Sequence, residues 1–520
     1  MKKMLLVLMT AGALLGAAAA HAAEPAADRD EAKKPSGEEA KKAEPPKPEQ
    51  SLTQHSVTIG GKTIDYSATA GTLILRNDKD EPTAAMGYVA YTRRGGGDAG
   101  RRPLTFAYNG GPGSSSVWLH MGALGPRRIV TTDAGPTPPA PYRVVDNAYS
   151  LLDKTDLVMV DPVGTGLSRA AGEAKDKDFW GVDPDIDSVS RFILQYVSDN
   201  NRWNSPKYLL GESYGTTRSA GIVDRLQTKW NMAFNGVILV SVAIDLEALA
   251  AWPGNDKPYA LILPSFAAVA AYHHLLPNPP ARLEPFLDEV RKYALGEYSA
   301  ALLKGDALSD QERDAVAEKL HGYTGLSADF IKKAKLRIRE SLFTQELLRE
   351  HHETVGRLDA RFLGVTFDPL AEDSEYDPQD AAISSAFTAA FLDYYHGELK
   401  FGQGKTYQII NEAIGPAWDW KHRAPGLPFP IPLPYTALDL AHALGYNPNL
   451  RVLVLNGIYD LATPFFASES MIDHLLLEKE LRSHVQLKYY EAGHMMYVHE
   501  PSLKQMKADV AAFYDSTSHP

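Results

Sequence analysis

The sequence contains no cysteine. That excludes disulfides and a lipid anchor on an N-terminal cysteine. Long apolar runs are missing too. The one near the start, Leu5 to Ala19, falls short of the roughly 20 residues that cross a bilayer, so no stable membrane anchor is expected. Basic charge is in deficit: 53 Lys and Arg stand against 65 Asp and Glu, a formal net charge of −12. Such a chain is a poor partner for nucleic acid or an anionic membrane. The phosphate-cradling Gly-x-x-x-x-Gly-Lys-Ser/Thr loop is absent. No residue cluster has metal-ligand spacing, and the acidic run Glu372, Asp373, Glu375, Asp377, Asp380 fits no EF-hand loop and reads as a solvated face. No cofactor or metal is therefore expected.

The 520 residues suffice for one large domain carrying an insertion. Lys2 and Lys3, the short apolar stretch and Ala20-His21-Ala22 read as a secretory signal peptide, residues 1–22. Residues 23–50, rich in Ala, Pro, Glu and Lys, read as a disordered linker. Export without cysteine fits a bacterial periplasm better than a eukaryotic secretory route.

From Ser51 onward strand signals dominate. His55 to Ile59, Gly60-Gly61 and Lys62 to Ala68 form a hairpin pattern. Gly71 to Leu75 and Ala84 to Thr92 continue it, giving four strands before any helix. Leu104 to Tyr108 and Asp156 to Val160 are apolar strands, and Ile186 to Val197 is helical. Lys207 to Glu212 runs into Gly211-Glu212-Ser213-Tyr214-Gly215, with Ala220, Val223, Leu226 and Trp230 following at helical spacing. Strand, tight turn, helix around Gly-x-Ser-x-Gly is the setting of a nucleophile elbow. Residues 51–245 thus read as the first part of an α/β core with a mostly parallel sheet and an antiparallel N-terminal edge.

Residues 246–400 change character. Helical stretches at Pro264 to Leu276, Ala281 to Lys304, Ser309 to Leu320, Ala328 to Glu350 and Ala381 to His396, without clear strands, suggest a helical cap insertion over the site. The core resumes in residues 401–520. There Arg451 to Asn456 ends in Gly457-Ile458-Tyr459-Asp460, and Val485 to Tyr490 ends in Gly493-His494-Met495. The order Ser213, Asp460, His494 is that of α/β-hydrolases and differs from the other common serine triads. The glycine-dense loop Asn109-Gly110-Gly111-Pro112-Gly113 presents backbone N–H groups, as an oxyanion hole requires.

Four blocks make the chain resemble the serine carboxypeptidases: Asn109-Gly110-Gly111-Pro112-Gly113-Ser114-Ser115, Val160-Asp161-Pro162-Val163-Gly164-Thr165-Gly166, Gly211-Glu212-Ser213-Tyr214 and Gly493-His494-Met495. The resemblance implies an α/β-hydrolase that releases C-terminal residues from peptides with a free C-terminus. Ser213 is then the nucleophile, His494 the base and Asp460 its orienting partner. The N–H groups of Gly111 and Tyr214 form the oxyanion hole, Asn109 and Glu212 bind the substrate carboxylate, and Met495 lines the leaving-residue pocket. Glu212 donates only when protonated, which implies a preference for mild acid.

The sequence departs from the family pattern where Ala123 precedes Leu124-Gly125-Pro126, a position usually held by Glu. It departs again at Tyr108, at Gly215, in the missing Gln between Asp161 and Pro162, and at Met496-Tyr497. An esterase or acyltransferase using the same acyl-enzyme is the alternative, and a binding protein on a hydrolase scaffold is a third reading.

Overall fold

The computed structural model describes residues 47–95 and 98–518; the expected signal peptide and nearly all of the expected linker lie outside them. Nine strands set the frame: β1 (Gln50–Ile59), β2 (Lys62–Arg76), β3 (Pro82–Arg93), β4 (Leu104–Tyr108), β5 (Asp156–Val160), β6 (Lys207–Ser213), β7 (Gly236–Val242), β8 (Arg451–Gly457) and β9 (Val485–Tyr490). They lie side by side in the order β1-β2-β3-β5-β4-β6-β7-β8-β9, and a two-residue strand, Arg169–Ala170, pairs with β3 off this path. The β1–β2, β2–β3 and β3–β5 pairs are antiparallel. Every pair from β5 to β9 is parallel.

Period-two alternation divides the apolar residues of the central strands between two faces. Leu104, Phe106, Leu209, Val237, Leu239, Val452 and Val454 join one core. Ala107, Tyr208, Leu210, Ile238, Val240, Leu453 and Leu455 join the other. Strands buried on both faces read as continuous apolar runs, which is why β4, β5 and β7 were visible in the sequence. On the first face pack α1 (Val182–Asp199), α2 (Tyr214–Trp230) and α3 (Lys257–Tyr272). On the second pack α4 (Pro378–Gly397) and α5 (Glu500–Thr517).

Three differences from the sequence expectations have physical causes. Lys62 to Leu75 is one continuous strand and not two, because Gly71 does not break the ladder. A side chain at 71 would lie 2.7 Å from the Glu49 carbonyl, so the glycine lets the start of the chain cross it. The stretch Ala328 to Glu350 is not a single helix. It splits into Ala328–Lys333 and Glu340–Glu346 around Lys335 and Leu336, both at positive φ, where Arg337 turns to a two-pronged ion pair with Asp256. Finally, residues 246–400 are not purely helical. Glu353–Val355 and Leu363–Val365 form an antiparallel hairpin. Residues 246–400 also supply helices to both faces of the sheet, α3 to one and α4 to the other.

Candidate active site

Ser213 ends β6 and caps α2 with φ 58° and ψ −128°. A non-glycine residue holds such angles only when its surroundings impose them. The imposed fit is visible at the glycines. A Cβ on Gly211 would lie 2.1 Å from the Gly215 carbonyl, and one on Gly110 would lie 2.5 Å from the Tyr214 nitrogen. Strand, loop and helix therefore meet at backbone distance, leaving Ser213 as the partly exposed residue between buried Glu212 and Tyr214.

Asp460 and His494 follow the adjacent parallel strands β8 and β9, which brings their loops together. His494 Nδ1 donates to Asp460 Oδ2 at 2.8 Å. Asp460 Oδ1 accepts from the N–H groups of Ala462 and Thr463 at 2.8 and 2.9 Å, and the Thr463 hydroxyl donates to Oδ2 at 2.6 Å. Burial would raise the Asp460 carboxyl, but His494 and these donors outweigh it and hold the group below its ordinary value. For His494, burial would lower the imidazole. Asp460, and more weakly Glu212, outweigh it and hold the ring above its ordinary value.

The two loops are brought to Ser213 through the sheet. Ser213 pairs in register with Val242 of β7, and Ser241 beside it donates its hydroxyl to the His494 carbonyl at 2.7 Å. Among the described residues no hydrogen bond joins Ser213 Oγ to His494 Nε2. That contact is of the kind that tightens on forming the Michaelis complex.

Gly111 is exposed at φ 105°, and its N–H has no acceptor among the described residues. The Tyr214 N–H is the first of α2, one of the N-terminal donors that a helix leaves unbonded. Asn109 is buried. Its Nδ2 donates to Glu212 Oε1 at 2.7 Å, and its Oδ1 accepts from the Leu119 N–H at 3.0 Å. Burial pushes the Glu212 carboxyl up to about 7, against the opposing influence of His494, Tyr497 and Asn109. Met495 is buried in the apolar layer next to His494.

Several contributors were given no role by the sequence. Arg218, fully buried on α2, is held by Asp185 at 2.7 Å. It donates to the Asn109 carbonyl at 2.8 Å and lies over the rings of Tyr108 and Tyr214. Asp161 accepts from the N–H and hydroxyl of Ser116 at 2.9 Å, anchoring the end of the glycine loop. From the insertion, the Leu358 carbonyl accepts from the His494 N–H at 2.6 Å and Asp359 accepts from the Gly493 N–H at 2.9 Å. Only Thr463, three residues after Asp460, stood at a spacing that could have been read as a local hydroxyl–carboxylate contact.

Such a fold, with a strained serine on a strand-to-helix turn and an Asp–His pair at later strand ends, defines an α/β-hydrolase. Comparison with known proteins narrows this. Residues 69–248 match the family profile described as serine carboxypeptidase. That stretch holds the glycine loop and the elbow serine, and it is similar to the serine carboxypeptidases. Among solved structures, a prohormone-processing carboxypeptidase from Saccharomyces cerevisiae superimposes with a TM-score of 0.52 at 15% identity, over 87% of this chain and 91% of that one. A proline iminopeptidase from Mycobacterium smegmatis aligns over 90% of this chain and 99% of that one, with a TM-score of 0.34 at 15% identity. No curated protein matches the chain. No helix among the described residues is long and apolar enough to cross a membrane.

Proposed function

We propose that the protein removes C-terminal residues from peptides through an acyl-enzyme on Ser213. Ser213 Oγ attacks the scissile carbonyl carbon as His494 Nε2 takes its proton, and the carbonyl oxygen becomes an oxyanion facing the N–H groups of Gly111 and Tyr214. The C–N bond then breaks as His494 gives that proton to the departing amine. Water, deprotonated by His494, cleaves the acyl-enzyme and restores Ser213. Asp460 keeps the Nδ1 proton in place, so that Nε2 is the basic nitrogen. Asn109 and protonated Glu212 hold the free carboxylate of the leaving residue, and Met495 contributes apolar surface beside it.

The observation that carries this reading is the buried Asp460–His494 pair, 2.8 Å apart and fixed to the backbone next to the elbow serine. The test is a time course by mass spectrometry on a blocked dipeptide and its C-terminal amide, beside fluorophosphonate labelling. Loss of one residue from the free acid, with labelling that disappears in a folded Ser213→Ala variant, is expected. Full peptidase activity in that variant overturns the nucleophile assignment. Ester turnover without peptide release moves the function to the esterase or acyltransferase alternative. Periplasmic residence rests on the pattern of residues 1–22 and is checked by the N-terminal residue of the protein recovered from a bacterial periplasm, expected near Ala23.

A further inference from the structure

Two buried polar atoms beside the elbow, Glu212 Oε2 and the Tyr497 hydroxyl, make no hydrogen bond of good geometry among the described residues. They are nonetheless neighbours: each acts on the other's ionisation, and Asn109 acts on both. Unsatisfied buried polar atoms are costly, so a pair of them at one point marks a place where a polar group is received. Tyr497 lies on the short turn Met496–Val498 that follows His494 and Met495, and is 2% exposed. Its ring is packed against Gly122, where a Cβ would come within 2.5 Å of it. That turn of chain contributes no acid, since Ala123 follows. The phenol is thus held by its ring, with its oxygen beside Glu212 and Asn109.

We infer that Tyr497 is a specificity-determining residue that donates its hydroxyl hydrogen to the C-terminal carboxylate of the substrate, acting together with Asn109 and Glu212. The inference rests on the proposed carboxypeptidase reading. A phenol suits the task because it donates whatever the state of its neighbours. Burial and Glu212 hold its ionisation far above the ordinary tyrosine range, so the proton stays on. With a peptide absent, ionised Glu212 is the natural acceptor for it. With a peptide bound, protonated Glu212, Asn109 Nδ2 and Tyr497 are three donors converging on one carboxylate. One carboxylic acid then suffices where a site without the tyrosine would need a second.

The groups facing Glu212 are few. His494 and Asp460 come from the loops after β9 and β8, Asn109 from the loop after β4, and Tyr497 from its own turn. His120, on the turn that packs against Tyr497, is buried next to Tyr91, and burial lowers it to about 3, so it stays neutral.

The experiment compares Tyr497→Phe with wild type on a blocked dipeptide and its C-terminal amide, from pH 5 to pH 9. In the variant the ratio of kcat/KM for free acid over amide falls about tenfold, the value of one hydrogen bond to a charged group, and the loss lies in KM. Removing the donor also disfavours ionised Glu212, so the alkaline limb for the free acid moves to higher pH. A folded variant that keeps the wild-type ratio overturns the inference and leaves Tyr497 as packing. Should the variant fail to fold, 3-fluorotyrosine at position 497 fills the same space with a stronger donor. A lower KM for the free acid supports the inference, and an unchanged KM overturns it. Wild-type enzyme that does not distinguish acid from amide instead overturns the underlying carboxypeptidase reading.

Discussion

Glu212→Gln should change the pH profile in two directions at once. On the proposed mechanism, wild-type turnover needs His494 neutral and Glu212 protonated. Both groups gain protons more readily than their ordinary counterparts, and they face each other. The pair therefore titrates as a unit, and the active form carries its single proton on the carboxyl and not on the imidazole. Above about pH 7 the proton leaves Glu212. Free-acid kcat/KM then falls about fivefold from pH 7 to pH 8 and about tenfold per unit beyond. Glutamine is a permanent neutral donor, so the alkaline limb disappears. It also removes one of the carboxylates that raise His494, so the labelling limb, which needs only neutral His494, moves to lower pH.

Stability should respond as well. The folded Glu212 carboxyl holds its proton up to about 7, against an ordinary value of 4.5. Between those values the folded state binds more protons than the unfolded one. The contribution is present in full below about 4.5 and is lost as pH rises through about 7, at most about 3 kcal/mol for a fully buried group. The assays are free-acid and amide hydrolysis against pH, fluorophosphonate labelling rate against pH for His494 alone, and urea midpoints at pH 5 and pH 8. A Gln variant that keeps the wild-type fall above pH 7, and whose labelling limb does not move, refutes the assignment of that limb to Glu212.

Asp460→Asn reverses the hydrogen bond that fixes the Nδ1 proton, and kcat should fall by about four orders of magnitude with the fold retained, read by steady-state kinetics and circular dichroism. Thr463→Val removes the 2.6 Å donor to Asp460 Oδ2. It should lower kcat by about tenfold and leave KM within about twofold. Asp359→Asn weakens the buried pair with Arg361 and the acceptor for the Gly493 N–H. Urea unfolding should show a loss of about 3 kcal/mol, with kcat falling further than this loss of folded protein explains. Gly211→Ala places a methyl 2.1 Å from the Gly215 carbonyl and should yield no soluble enzyme.

What the sequence reveals here is whatever is local. Apolar strands such as Leu104 to Tyr108 are legible because both faces are buried. Gly211-Glu212-Ser213 is legible because an elbow needs its glycines within two positions of the serine. Asp460 and His494 are legible because parallel strands place successive loops at one edge. Arg218 is not, since its value lies in reaching the Asn109 carbonyl across the helix–loop junction. Tyr497 is not, since only the fold sets its hydroxyl beside Glu212. The hairpin at Glu353 to Val365 escapes because its strands are three residues long, too short for a period to show.

The same distinction bears on the insertion, which the sequence suggests is a cover added to a finished core. Its segment 357–360 is bonded to both loops that carry the Asp–His pair. Arg357 O accepts from the Leu461 N–H, the Ala360 N–H donates to Tyr459 O, and Leu358 O accepts from the His494 N–H. The segment is itself fastened by Asp377, whose Oδ2 accepts from the N–H groups of Arg357 and Leu358 and whose Oδ1 caps α4. Asp359 adds the ion pair with Arg361. The two loops also bond each other directly, through the Tyr459 N–H and the Ala492 carbonyl, and the backbone of residues 357–360 bridges them and helps to fix their spacing. A displacement of about 1 Å at catalytic groups can cost on the order of a hundredfold in rate. Replacing residues 246–400 by a short linker should therefore not yield an open, faster enzyme. It should leave Ser213 on its elbow with a base that is no longer held, and fluorophosphonate labelling of any folded product should be slower than in wild type. Labelling at the wild-type rate would return the insertion to the role of a cover.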